Sequence, residues 1–199
     1  DILARHVGRE RVLVGRSYVG GSPLGPGHVI AGYLGKDTHI GELDGRVSER
    51  VQRIAAVFNA AGLQTMVSQN ILGTVWDKLL INVATGAITA LTGLSYGPLY
   101  RQPQLQALGV AAVEEAMAVA RAQGIALSIT DPLFAWTKAG AGLGEDFKTS
   151  MLQSIEKGSV TEIDYVNGAV VRLGELHRVP TPVNRTLLAL MQGLESRLR

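Results

Sequence analysis

The spacing of hydrophobic and polar positions changes near residue 45. Before it, short β-branched and aromatic runs alternate with glycine and proline, which predicts strands at residues 12–14, 18–19, 28–30, 33–34 and 39–40. After it, apolar residues recur at helical spacing from Val47 to Leu63, and Gly62 stands where a C-terminal cap would fall. Residues 65–67 predict one more strand, so the first third of the chain is expected to be α/β.

From residue 68 onward the pattern predicts only helices. We expect them at residues 71–91 and 104–123, from Asp131 onward, at 161–178, and from Thr181 onward. The chain is therefore expected to have two parts, residues 1–67 and 68–199. The first part has too few strands for an α/β domain, and we interpret it as the end of a sheet whose beginning is missing.

The amino-acid composition argues against several classes of partner and chemistry. The 199 residues carry a formal net charge of +2 without a basic run, which argues against a nucleic-acid partner. The absence of cysteine excludes disulfides and thiolate chemistry and is compatible with a reducing, cytoplasmic location. No apolar run reaches the roughly 18 residues of a membrane span, so no membrane partner is expected.

Several common motifs are missing from the sequence. The histidines lack metal-ligand spacing, so we expect no metal site. Neither a G-x-G-x-x-G fingerprint nor a P-loop occurs, so the chain alone is not expected to bind a nucleotide. It begins with Asp1 rather than methionine, and we expect it to be a fragment of a longer product.

A narrow polar line crosses the predicted apolar helix at residues 71–91. Its spacings of 4, 4, 3 and 4 keep it on one face, and its members are Thr74, Lys78, Asn82, Thr85 and Thr89. Solvated faces are usually rich in Glu, Lys and Arg, whereas this helix carries only two charges. We therefore favour the wall of a polar cleft, in which a lysine could protonate an alkoxide, form a Schiff base or hold an anion.

Glu162 has two interpretations. The run from Ser159 to Glu162 fits a capping box, in which the Glu162 carboxylate would accept a hydrogen bond from the Ser159 amide. Asp164 could cap Thr161 in the same way. The pattern favours the cap and leaves a functional carboxylate open.

Two motifs, taken together, resemble a known family. Residues 75–82 read V-W-D-K-L-L-I-N and continue to A-L-T-G at 90–93, while residues 150–153 read S-M-L-Q and 161–168 read T-E-I-D-Y-V-N-G. In this order and spacing they resemble the signatures of the ketopantoate reductases (2-dehydropantoate 2-reductases). P-G-H-V at 26–29 and H-I-G at 39–41 resemble late strands of that family's nucleotide-binding domain.

The resemblance implies a mostly α fold. Residues 68–199 would form the α-helical substrate-binding and catalytic domain, preceded by the last strands and a helix of a Rossmann-like nucleotide-binding domain at residues 1–67. It also implies NADPH-dependent reduction of 2-dehydropantoate to (R)-pantoate, on the route to pantothenate and coenzyme A. NADP would be bound mainly by a domain outside this chain, and the isolated chain is expected to be inactive.

The resemblance also implies site residues. The family's catalytic lysine, a general acid, falls on Lys78, and its next substrate-binding asparagine falls on Asn82. The substrate-contacting serine falls on Ser150. The glutamate that contacts the cofactor and supports the lysine falls on Glu162, and Gly20 falls in a turn whose backbone approaches the cofactor.

Two positions depart from the family pattern. A further asparagine, two turns after the lysine, is Gly86 here, and another beyond the helix is Tyr96. Both changes remove hydrogen-bond partners for the substrate and leave the identity of the 2-oxo acid open.

Two alternatives remain for the function. One is a helical dimerisation or scaffold module whose polar line is a packing seam, and the other is a relative that binds a metabolite without turning it over. We also expect self-association, most simply as a homodimer, either through exposed strand edges or through the surface of the helical domain.

Overall fold

The computed structural model describes residues 2–17, 21–31 and 37–198. The chain divides into two compact units, Asp1–Val75 and Trp76–Arg199, and the boundary falls inside one long helix. The elements of the first unit are α1 (Ile2–Val7), a 3-10 turn (Arg9–Arg11), β1 (Val14–Ser17), β2 (Gly21–Gly25), β3 (His28–Ala31), β4 (Thr38–Gly41), α2 (Glu49–Ala60) and β5 (Thr65–Val67).

A three-stranded sheet with one helix organises the first unit. The strand order is β1–β4–β5, with β1 antiparallel and β5 parallel to β4. Helix α2 connects the parallel pair and packs Val51 and Ala55 on Ile40 of the sheet. A helix that joins two parallel strands is the unit from which Rossmann-like sheets are built. The predicted fold class, strands and a helix of such a domain followed by helices, is confirmed.

The ends of α2 follow the predicted chemistry. The Ser48 hydroxyl oxygen accepts a hydrogen bond from the Val51 amide at 3.3 Å and caps the helix. Gly62 follows the last turn with φ of +82°, the left-handed conformation that a helix end favours and glycine adopts without strain.

The β2–β3 hairpin is separate from the three-stranded sheet. The two strands are antiparallel and form a sheet of their own. Leu24, Val29 and Ile30 are exposed. Val29 and Ile30 are neighbours in one strand, so their side chains point to opposite faces. The hairpin therefore exposes apolar side chains on both faces. The strands predicted at residues 18–19 and 33–34 lie outside the described residues.

The second unit is helical, as predicted. Its elements are α3 (Ile71–Thr92, which begins in the first unit), α4 (Tyr96–Tyr100), α5 (Pro103–Ala122), α6 (Pro132–Gly140), α7 (Ser150–Glu156), a 3-10 turn (Ile163–Tyr165), α8 (Asn167–His177) and α9 (Pro182–Glu195). Residues 83–90 of α3 are all buried, and they share one core with α5, α6, α8 and α9.

Helix α3 contradicts the expectation that no apolar run reaches the length of a membrane span. Its 22 residues have the length and composition of a membrane span. Most of its apolar stretch is buried against other helices of the unit, which is typical of a core helix in a folded domain. Asp77 also anchors it: the carboxylate accepts hydrogen bonds from the Ser128 amide and hydroxyl and from the Ile129 amide, at 2.6–3.1 Å.

The helix predicted at residues 161–178 is shorter than expected. A 3-10 turn occupies residues 163–165, Val166 leaves the helical region with ψ of −91°, and α8 starts at Asn167. Before the turn, the Thr161 amide and hydroxyl both donate to Glu195 of α9. Tertiary hydrogen bonds therefore replace the first turn that local spacing had predicted.

Candidate active site

Lys78 and Asn82 lie one turn apart on the same face of α3. Asn82 is the one exposed residue between Trp76 and Leu91, and Lys78 is half-buried. A helix whose second half is buried in the core thus presents an ammonium and a carboxamide where a dissolved molecule can reach them.

The second half of the polar line is a packing seam. Thr85 Oγ1 lies 3.2 Å from the Tyr96 hydroxyl, and Thr89 Oγ1 lies 2.6 Å from Thr149 Oγ1. Both threonines are buried. The packing interpretation therefore holds for Thr85 and Thr89, whereas Lys78 and Asn82 remain accessible.

Helix α7 begins beside α3. Thr149 caps it by accepting the Leu152 amide at 3.3 Å, and the same hydroxyl bonds to Thr89 of α3. A Cβ atom on Gly86 would lie 3.2 Å from the sulfur of Met151. Ser150, between these two contacts, is exposed. The structure thus places Ser150 next to the turn of α3 that follows Asn82.

Glu162 is exposed and does not form the predicted cap. The Ser159 amide donates to the Ser154 carbonyl oxygen at 2.9 Å, and the Thr161 amide donates to Glu195 at 2.6 Å. Both amides that the two capping boxes would satisfy therefore have other partners. Within the described ranges, the Glu162 carboxylate makes no hydrogen bond or ion pair, and none ties it to α3.

The two departures from the family pattern have a structural reason. Gly86 is buried beneath Met151, where a longer side chain would displace the sulfur. Tyr96 is buried in α4, with its ring centroid 4.9 Å from that of Phe147. Burial raises the pKa of the Tyr96 hydroxyl, against the opposing effect of its hydrogen bond with Thr85. Neither position offers a polar group to solvent.

The sequence analysis missed Glu195. It lies four residues after Met191 and eight after Leu187, on the apolar stripe of α9, and it is 6% exposed. A carboxylate on a buried stripe requires hydrogen-bond donors. The position of Glu195 on the apolar stripe of α9 could therefore have indicated a buried hydrogen-bond partner. Gly20, the other predicted cofactor contact, lies outside the described residues.

Comparison with known proteins shows the family of this chain. Residues 70–195 match the family model described as "Ketopantoate reductase PanE/ApbA C terminal". The 2-dehydropantoate 2-reductase of Archaeoglobus fulgidus is 33% identical over the whole chain and 65% of its own length. That of Halobacterium salinarum is 34% identical over 96% of the chain and 62% of its own length.

Solved structures of the same family are also similar to this chain. The PanE/ApbA family ketopantoate reductase from Ralstonia eutropha JMP134 superposes with a TM-score of 0.84 at 32% identity, over 96% of this chain and 63% of that one. The chain therefore spans somewhat less than two thirds of the length of the relatives it matches.

Proposed function

Because this chain belongs to the ketopantoate reductase family, we propose that it is part of an NADPH-dependent reductase that converts 2-dehydropantoate to (R)-pantoate. The observation that carries the proposal is the pair Lys78 and Asn82, accessible on a helix whose next eight residues are buried. A scaffold helix would not need an ammonium and a carboxamide at this place.

Lys78 is the proposed general acid. NADPH, when bound, supplies the hydride that a ketone reduction needs. The carbonyl oxygen then becomes an alkoxide, and an ammonium can both stabilise its charge and donate the proton. Half-burial suits this role, because it brings the ammonium out of bulk water while leaving it accessible.

Asn82 and Ser150 are the proposed substrate contacts. Both are exposed, and both have hydrogen-bonding side chains that can orient a carboxylate or carbonyl. The helices that carry them are anchored in the core: α3 is packed there, and Thr149 at the start of α7 hydrogen-bonds to Thr89 of α3. Rigid supports of this kind keep substrate contacts in position.

Glu162 is the proposed cofactor contact. Its exposed carboxylate makes no hydrogen bond within the described ranges, so it fits a group that offers N–H or O–H donors, as the carboxamide and ribose of NADPH do. We propose that it also supports Lys78 during catalysis and that Gly20 contributes backbone to the cofactor site.

We propose that residues 1–67 are the end of the nucleotide-binding domain and residues 68–199 the catalytic domain of a cytoplasmic homodimer in pantothenate and coenzyme A biosynthesis. Most of the NADP site would lie outside this chain, so the isolated chain should neither bind NADP measurably nor turn over substrate.

A second candidate substrate is a 2-oxo acid without a distal hydroxyl group. It is favoured by Gly86 and Tyr96, which offer no polar group to solvent where the family's asparagines stand. Both candidates use Lys78 in the same way.

The decisive experiment is Lys78→Ala in the full-length protein. NADPH oxidation is followed with 2-dehydropantoate and with a panel of other 2-oxo acids. We expect kcat to fall by at least about 100-fold, the lower end of what general acid catalysis contributes, with an unchanged melting temperature. Lys138→Ala on α6 is the matched control and should retain wild-type kcat.

Near wild-type kcat in Lys78→Ala would contradict the assignment of the general acid. A full-length protein that oxidises NADPH with none of the 2-oxo acids would favour the metabolite-binding or scaffold alternatives instead.

A further inference from the structure

Glu195 of the last helix binds the residue that precedes Glu162. Glu195 Oε1 accepts hydrogen bonds from both the amide and the hydroxyl of Thr161, each at 2.6 Å. The Thr161 hydroxyl oxygen in turn accepts the Ile163 amide at 3.1 Å. The residues on both sides of Glu162 are therefore fixed by a single chain of hydrogen bonds.

This arrangement is built into the core. Glu195 is 6% exposed and Ile163 is fully buried, whereas Glu162 between them is exposed. We call the two hydrogen bonds from Thr161 to Glu195 the clamp; they join residues 34 positions apart in the chain. An exposed carboxylate on a short 3-10 turn would otherwise sample several backbone conformations, because such turns have weak hydrogen-bond geometry.

We propose that Glu195 and Thr161 are positioning residues: they hold the backbone of Glu162 so that its carboxylate meets the cofactor and Lys78. This inference rests on the proposed function, in which Glu162 belongs to the active site. Glu195 and Thr161 do not touch the reacting atoms and act only through Glu162.

The test is Thr161→Val in the full-length protein, alone and combined with Glu162→Gln. Valine keeps the volume of the side chain and the amide bond to Glu195 but loses the hydroxyl that joins Glu195 to Ile163. We expect kcat/KM to fall by about 10-fold in the single variant, in line with the sensitivity of catalysis to small displacements. In the Glu162→Gln background the same change should alter kcat/KM by less than about 2-fold, because the residue it positions is already disabled.

Two further variants separate positioning from folding. Thr161→Ser keeps the hydroxyl and should recover most of the lost kcat/KM. Thr186→Val is the matched control, because Thr186 on α9 is exposed and bonds only within its own helix, to the Pro182 carbonyl oxygen. An equal loss for Thr161→Val with and without Glu162→Gln would mean a general structural role and would overturn the proposal.

Hydrogen exchange gives a readout that does not depend on activity. In Thr161→Val, amide exchange should rise in residues 161–166 and stay unchanged in α5. Unchanged exchange in residues 161–166 would overturn the clamp itself. Absence of turnover in the wild-type enzyme, with raised exchange in the variant, would instead contradict the proposed function and remove the catalytic part of this inference.

Discussion

Single carboxylates in this protein are stabilised by several donors at once. Asp77 accepts three hydrogen bonds from residues 128 and 129, and Glu42 in the first unit is bound by Arg50 and by the Ser48 hydroxyl. Both are nearly buried. Charged groups in such places require several partners because burial removes the water that would solvate them.

Glu42 should make the stability of the first unit depend on acid pH. The Arg50 hydrogen bonds lower the pKa of Glu42 from 4.5 to about 2, although burial acts in the opposite direction. The folded state therefore binds this proton more weakly than the unfolded chain. The stabilisation is present above pH 4.5 and is lost as the pH falls towards 2.

The measurement is the free energy of unfolding at pH 5 and pH 3 for the wild type and Glu42→Gln. We expect the wild type to lose about 1–2 kcal/mol more than the variant, an amount limited by the solvent-accessible Arg50. Glu175→Gln, which removes an exposed ion pair with Arg185, is the control and should follow the wild type within about 0.5 kcal/mol. Equal losses in the wild type and Glu42→Gln would contradict the prediction.

At the scale of elements, close backbone contact positions the central helices. A Cβ atom on Gly109 of α5 would lie 2.5 Å from the Ala84 carbonyl oxygen of α3 and 2.5 Å from the Trp136 ring. Real Cβ atoms do not approach other non-bonded atoms so closely. The two helices can therefore pack at this distance only because residue 109 has no side chain.

The same substitution should have opposite effects at two helical glycines. Gly109→Ala should lower the free energy of unfolding by about 1–3 kcal/mol, because the clash involves backbone and a buried ring. Gly193→Ala on α9, where a Cβ atom meets nothing within 4 Å, should raise it by about 0.5–1 kcal/mol through helix propensity. Urea unfolding of both variants checks the pair, and stabilisation by Gly109→Ala would contradict the described packing.

Periodicity was enough to predict the long helices but not their contacts. The helices expected at residues 71–91 and 104–123 are found at Ile71–Thr92 and Pro103–Ala122, because their apolar spacing and the glycine after α5 act locally. Spacing alone placed Thr85 and Thr89 on the same polar line as Lys78. It cannot distinguish a threonine that faces solvent from one that hydrogen-bonds to another buried hydroxyl. The two capping boxes do not form because the Ser159 amide bonds to the Ser154 carbonyl oxygen, and Glu195, distant in sequence, bonds to the Thr161 amide.

At the scale of the whole molecule, the β2–β3 hairpin is a feature that favours association with another chain. Two-stranded hairpins have little stability alone, and this one exposes Leu24, Val29 and Ile30 at 59%, 63% and 52%. Exposed apolar residues on a strand pair promote association with another chain.

We expect the chain to form dimers or larger species at micromolar concentration, measured by light scattering. Val29→Thr with Ile30→Thr should weaken the association, because threonine keeps strand propensity and adds a hydroxyl. Leu176→Ser on α8 removes an apolar residue that is more exposed than Val29 or Ile30 and should leave the association unchanged. A monomeric wild-type chain would contradict this prediction, and dissociation by Leu176→Ser would move the interface to the helices.

The burial of residues 83–90 also restricts how this protein can diverge or be engineered. Under the proposed function, a new substrate preference could not be introduced through the second half of α3, because side chains there are already enclosed by their neighbours. Random libraries that target this half would return mostly unfolded clones. Variation at Asn82 and Ser150, whose side chains are exposed and whose supports are rigid, can be explored without disturbing the core.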